Sequence, residues 1–161
     1  MDAVESLRAT YRPQQIMTLF VGESAPHSGK FFYDGDNSMV RYMQRATEAV
    51  FLDGGNFLDR FKSYGWYLDD LVLTPVNKMT AAQRKAEWLG AHDSLRDRIA
   101  EYRPLAVISL LVGIRSIVES AVKASGSKAE LFAVPFPGMG QQRRFHDAMV
   151  KLIPSLPRHP P

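Results

Sequence analysis

No cysteine occurs in the chain's 161 residues. That absence excludes disulfides, thiolate nucleophiles, zinc held by cysteines and cysteine-ligated iron–sulfur clusters. Histidine is scarce as well: the four present, His27, His92, His146 and His159, are scattered without metal-ligand spacing. Neither a metal nor another cofactor is therefore expected. Long apolar runs are missing too. No stretch approaches the roughly 20 residues that span a bilayer. The first residues also lack a basic segment followed by an apolar one. The expectation is a cytoplasmic protein with no membrane partner. An excess of one charge is nearly absent, since 20 Lys and Arg stand against 17 Asp and Glu, a net charge of +3. So mild a balance permits a polyanionic partner and does not require one. There is no internal repeat and no low-complexity stretch.

What is present is ordinary globular material, 45% apolar and 23% charged, and long enough to bury a real core. One domain over residues 1–161 is expected, with a core over about 16–153 and an irregular tail, 154–161, that carries four prolines. A short amphipathic lead-in ends near Pro13. An apolar run over 16–21 has the length of a buried strand and breaks at Gly22-Glu23-Ser24-Ala25-Pro26. Asp36-Asn37-Ser38 offers an N-cap to one helix and Asn56 to a second, which stops at Gly65. A second strand is expected over 66–74, partly interrupted by Asp69 and Asp70, then one long helix from Thr80 to about Tyr102. A third strand over 105–112, a helix over 114–124, a fourth strand over 131–134 and a helix over 141–153 complete the series. Strands alternating with helices imply an α/β fold: three layers, α/β/α, around a mainly parallel four-stranded sheet. The loops after the first and fourth strands, the latter Pro135-Phe136-Pro137-Gly138-Met139-Gly140, would then share one rim, where open α/β sheets place ligands.

Taken together, the segments resemble the uracil-DNA glycosylase superfamily over about residues 16–153. Gly22-Glu23-Ser24-Ala25-Pro26 is similar to that family's first motif, and Phe31-Phe32-Tyr33 with Gly35 and Ser38 to the stretch whose aromatic stacks on a flipped base. Leu73-Thr74-Pro75-Val76-Asn77-Lys78 stands where the family has its central strand and base-reading asparagine. Arg103-Pro104-Leu105-Ala106-Val107-Ile108 resembles the Arg-Pro pair before a buried strand, and Pro135-Phe136-Pro137-Gly138 the second catalytic motif. The departures are specific. Pro75 occupies the asparagine's place, with Asn77 two residues on, and Pro135 or Phe136 stands where a histidine begins the second motif. In the first motif one alignment puts Glu23 at an acidic position. Another makes Ser24 replace the water-activating aspartate and aligns His27 with a motif histidine.

The resemblance implies a glycosylase of base excision repair that acts on uracil- or damaged-base-containing DNA as a monomer. Glu23 and Ser24 become the catalytic candidates: a carboxylate near the anomeric carbon orients water and stabilises a cation-like sugar. Gly22, Ala25, Phe32, Asn77 and Phe136 are the base-binding candidates, with Phe31 as the alternative stacking face. Gly138, Met139, Gln141, Arg143 and Arg144 are assigned to DNA. Glycine allows close approach, Met139 fills the space a flipped base leaves, and the arginines hold phosphates. Two other readings remain open. One is a module of the same fold that binds a nucleobase or nucleic acid and cleaves nothing. The other is a serine hydrolase using Ser24, which needs a histidine base that the adjacent His146-Asp147 pair does not supply. His92 and His146 are expected to be structural.

Overall fold

A computed structural model describes residues 2–160. Four parallel strands, β1 (Thr18–Gly22), β2 (Trp66–Asp70), β3 (Ala106–Ser109) and β4 (Glu130–Ala133), form one sheet in the order β2-β1-β3-β4. The sheet is all-parallel, with Gly22 opposite Asp70 and Val21 opposite Ser109. Seven α-helices accompany it among the described residues: α1 (Ala3–Thr10), α2 (Ser38–Glu48), α3 (Phe57–Ser63), α4 (Ala81–Gly90), α5 (His92–Tyr102), α6 (Arg115–Ala124) and α7 (Gln142–Leu152). The β1-to-β2 crossover runs one way along the sheet, and those from β2 to β3 and from β3 to β4 run the other. Right-handed crossovers therefore place α2 and α3 on one face and α4 to α6 on the opposite one. The packing agrees, with α2 against α7 and α5 against α6. The three-layer α/β/α expectation stands.

Local chemistry explains most boundaries. The Asn37 side chain caps α2 by accepting from the Val40 N–H (3.0 Å), and Asn56 caps α3 through the Asp59 N–H (3.1 Å). Thr80 and Gln83 form a reciprocal capping box at the start of α4. Leu19, Phe20 and Val21 are fully buried, as a strand covered on both faces requires.

Four expectations need amendment. β3 ends at Ser109 rather than at residue 112, where a 3-10 turn over Val112–Ile114 begins. The long helix over 80–102 is two helices that meet at Ala91, next to Gly90, a poor helix former. β2 stops at Asp70 rather than continuing to residue 74. The carbonyls of Asp70 and Leu71 are taken by the Arg98 guanidinium (2.7 and 3.0 Å), so they are lost to a longer ladder. The tail lacks regular structure beyond a 3-10 turn over Ile153–Ser155, yet it is tied down. The Pro157 carbonyl accepts from Thr18 Oγ1 (2.7 Å) and Trp66 Nε1 (3.0 Å), and Leu156 is buried.

A candidate nucleobase pocket at the strand ends

The strand order reverses between β1 and β3, so the chain leaves a crevice beyond their carboxyl ends. That crevice holds a cavity of about 510 Å³. Gly22, Glu23, Ser24, Ala25 and Pro26 of the β1 loop line one wall, and Phe136 and Met139 of the β4 loop line another. Phe31 and Phe32 contribute aromatic surface, Leu68 and Asp70 the end of β2, Leu110 and Leu111 the exit of β3, and Asn77 and Arg84 the approach to α4. The early and late loops thus meet across one slot.

All the catalytic and base-binding candidates therefore border this cavity, as does Met139. Gly138, Gln141, Arg143 and Arg144 do not. Gly138 lies in a tight turn, its N–H donating to the Phe136 carbonyl (2.9 Å), and Gln141 precedes α7. Arg143 and Arg144 are exposed on α7. The first lies 3.9 Å from Asp147, and the second donates to Gln141 Oε1 at 3.4 Å.

Phe31 and Phe32 are both buried, at 5% and 3% exposure, so neither stands free as a wall panel. Phe32 packs edge-on to Tyr33 (centroids 5.0 Å apart, planes at 90°) and tilted on Phe61 (5.1 Å). Phe31 lies under the Arg8 guanidinium at 5.3 Å. Each ring is locked by the core and offers the cavity only its remaining surface. Met139 is the opposite case. It is 98% exposed at the rim and holds a left-handed backbone (φ 54°), a conformation uncommon for a side chain of its size.

Glu23 is held on three sides. Arg84 donates from Nε to Oε2 (2.9 Å) and from Nη2 to Oε1 (2.6 Å), a two-pronged pair, and Trp88 Nε1 donates to Oε2 at 2.7 Å. The hydrogen bonds to Glu23 in turn hold the Arg84 guanidinium more firmly protonated than usual. Ser24 makes no hydrogen bond among the described residues, and no histidine borders the cavity. His146 sits on α7 with a buried Nδ1 that lacks a partner. A Ser-His-Asp chain does exist elsewhere. His92 contacts Ser120 Oγ through Nε2 (3.0 Å) and Asp93 through Nδ1 (2.8 Å), beside a cleft between α5 and α6. Ser120 lies inside α6, where backbone N–H groups are spent on the helix, so no oxyanion donors face it.

Asp70, which has no assigned role, lines the cavity, and Arg8 holds it from behind without lining the cavity itself. Asp70 is 5% exposed, and its Oδ2 accepts from Arg8 Nη2 at 2.8 Å. Its Oδ1 accepts no hydrogen bond among the described residues and faces Gly22, where an added Cβ would lie 2.5 Å away. Burial pushes the Asp70 carboxyl above its ordinary value, opposed by Arg8. Arg8, 2% exposed, also donates to the Leu68 carbonyl (3.1 Å) and approaches Asp69 at 3.7 Å. Asp69 is paired in turn with Arg98 (2.9 Å) and accepts from the Tyr102 hydroxyl (2.8 Å). Burial, then the Asp69 charge, pushes the Tyr102 hydroxyl up. The signal for Asp70 was available: paired aspartates at the end of an apolar run signify a strand whose tip turns polar. Arg8 left none, being one charge on a lead-in helix. No protein-family model matches this chain, and comparison with curated proteins finds no match.

Proposed function

We propose that this protein takes a single nucleobase, flipped from DNA, into the cavity at the strand ends and hydrolyses its N-glycosidic bond, with uracil or a related damaged base as substrate. The observation that carries the reading is one slot bordered by both the β1 and β4 loops, lined in part by the residual surface of two core-locked aromatic rings and rimmed by an exposed, backbone-constrained Met139. Flipping costs a few kcal/mol, least at mismatched or damaged bases, and an apolar wedge at the rim compensates for the vacated stack. Backbone N–H groups around Glu23, Ser24 and Ala25 are available donors for a base oxygen that gains charge as the bond breaks. A carboxylate has about four acceptor sites, and Glu23 uses three of them. The fourth can orient a water. Its oxygen bonds to the anomeric carbon as the C–N electron pair leaves with the base, and its proton passes towards Glu23.

The same clamp favours a second reading, a module that binds a base without removing it. A carboxylate with three of its acceptor sites taken by Arg84 and Trp88 has little room left to receive a water and its proton. Incubation with duplex and single-stranded oligonucleotides carrying uracil or oxidised bases, followed by alkali, separates the two. Strand scission supports hydrolysis, and Glu23→Ala should then lower cleavage at least tenfold with DNA affinity nearly unchanged. Binding without scission supports the module, and neither binding nor scission rejects both.

A further inference from the structure

We infer that Asp70 selects the edge of the ring this cavity accepts: one presenting a ring N–H beside an amino group, rather than an N–H between two carbonyls. The inference rests on the nucleobase reading above and moves its substrate class from uracil to bases that carry such an edge. Asp70 is nine-tenths buried on the cavity floor, with Oδ2 committed to Arg8 (2.8 Å) and Oδ1 unpaired among the described residues. Oδ1 opens onto the cavity with no protein donor, and its lining neighbours Leu68 and Leu110 offer none from their side chains. Gly22 keeps the approach to Oδ1 open, because any side chain there would put its Cβ 2.5 Å from that oxygen.

The missing donor is therefore one that a ligand can bring. An ionised carboxylate only accepts, so a ring N–H and a neighbouring amino group both suit it, whereas a carbonyl beside the N–H meets like partial charge. Glu23 is less suited to this role, since three of its acceptor sites are taken by Arg84 and Trp88. At the mouth, Asn77 spends its Oδ1 on the His27 N–H (3.1 Å), which leaves its amide hydrogens for a ring carbonyl. Floor acceptor and mouth donor together complement a 2-amino-4-oxo ring of the guanine type. Uracil's N3–H, the ring N–H that a nucleoside leaves free, would place a carbonyl on either side of Oδ1.

Titration of the intact protein with 2-amino-4-oxopyrimidine (isocytosine) and with uracil, two rings of equal size, tests this directly. Isocytosine should bind at least tenfold tighter. Asp70→Asn, which sets a donor and an acceptor in place of the carboxylate, should reduce that ratio at least tenfold, with circular dichroism checking the fold. Gly22→Ala should also remove the preference, by covering Oδ1. Uracil binding as tightly as isocytosine overturns the role of Asp70 and leaves the nucleobase pocket standing. A ratio unchanged in both variants does the same. Binding of neither ring removes the pocket reading and this inference with it.

Discussion

Two carboxylates border the same cavity and live under opposite conditions. Glu23, on the β1 loop, is partly exposed and has three of its acceptor sites taken by Arg84 and Trp88, with one left on Oε1. Asp70, at the tip of β2, is buried and has one oxygen saturated and one bare. The residue that a loop motif makes conspicuous is thus the more nearly satisfied one. The one with a whole oxygen free of protein donors sits at a strand end and opens onto the cavity. Conspicuousness in sequence and readiness to meet a ligand are separate properties.

The sharpest way to break this contrast is Arg8→Ala, which leaves Asp70 buried without its counter-charge and should cost about 3–5 kcal/mol in urea unfolding. A loss typical of an exposed pair, below about 1 kcal/mol, would show that Asp70 is not held as described. Gly22→Ala follows. Its methyl meets Asp70 Oδ1 at 2.5 Å and should destabilise by about 1–3 kcal/mol, while Gly29→Ala, with nothing within 4 Å but a positive φ of 79°, should lose less.

The pH dependence of stability gives the next effect. Asp70 faces Arg8, Asp69 and Glu5, and its folded-state carboxyl titrates above the ordinary 3.8 because burial, helped by the Asp69 and Glu5 charges, outweighs the charge and hydrogen bond of Arg8. Between 3.8 and that raised value the folded state binds the extra proton, so stability falls as pH rises. The stability of Asp70→Asn relative to the native chain should therefore climb with pH across that window, by at most about 1.4 kcal/mol per pH unit. A difference that is flat from pH 4 upward would remove the titration from Asp70. The smallest effect belongs to the exposed arm of the proposed interface. Replacing Arg143 and Arg144 together by alanine should weaken DNA binding uniformly across sequences and flatten its salt slope by about 1 to 2. An unchanged slope would take phosphate contact away from α7.

Much of the architecture was legible because it is written locally. Asn37, Asn56 and Thr80 cap helices through their own side chains, and the run Leu19-Phe20-Val21 has only one way to hide both of its faces. The candidate pocket was legible in part. Glycine, proline and aromatics at two strand ends pointed to a shared rim, and the cavity lies between those loops. Other features were not, because they are long-range. Arg84 and Trp88 reach Glu23 from 61 and 65 residues away, Arg8 reaches Asp70 across 62, and Arg98 truncates β2 from another helix. Charge and spacing along the chain carry no trace of such pairings.

The amino-acid sequence by itself determined the alternation of strands and helices, the cysteine-free chemistry and the position of both loops, since each follows from neighbouring side chains and backbone preference. Only the tertiary structure decided which carboxylate is neutralised and which keeps an open oxygen. That outcome depends on which cation arrives from a distant element, and on how completely water is excluded once it has.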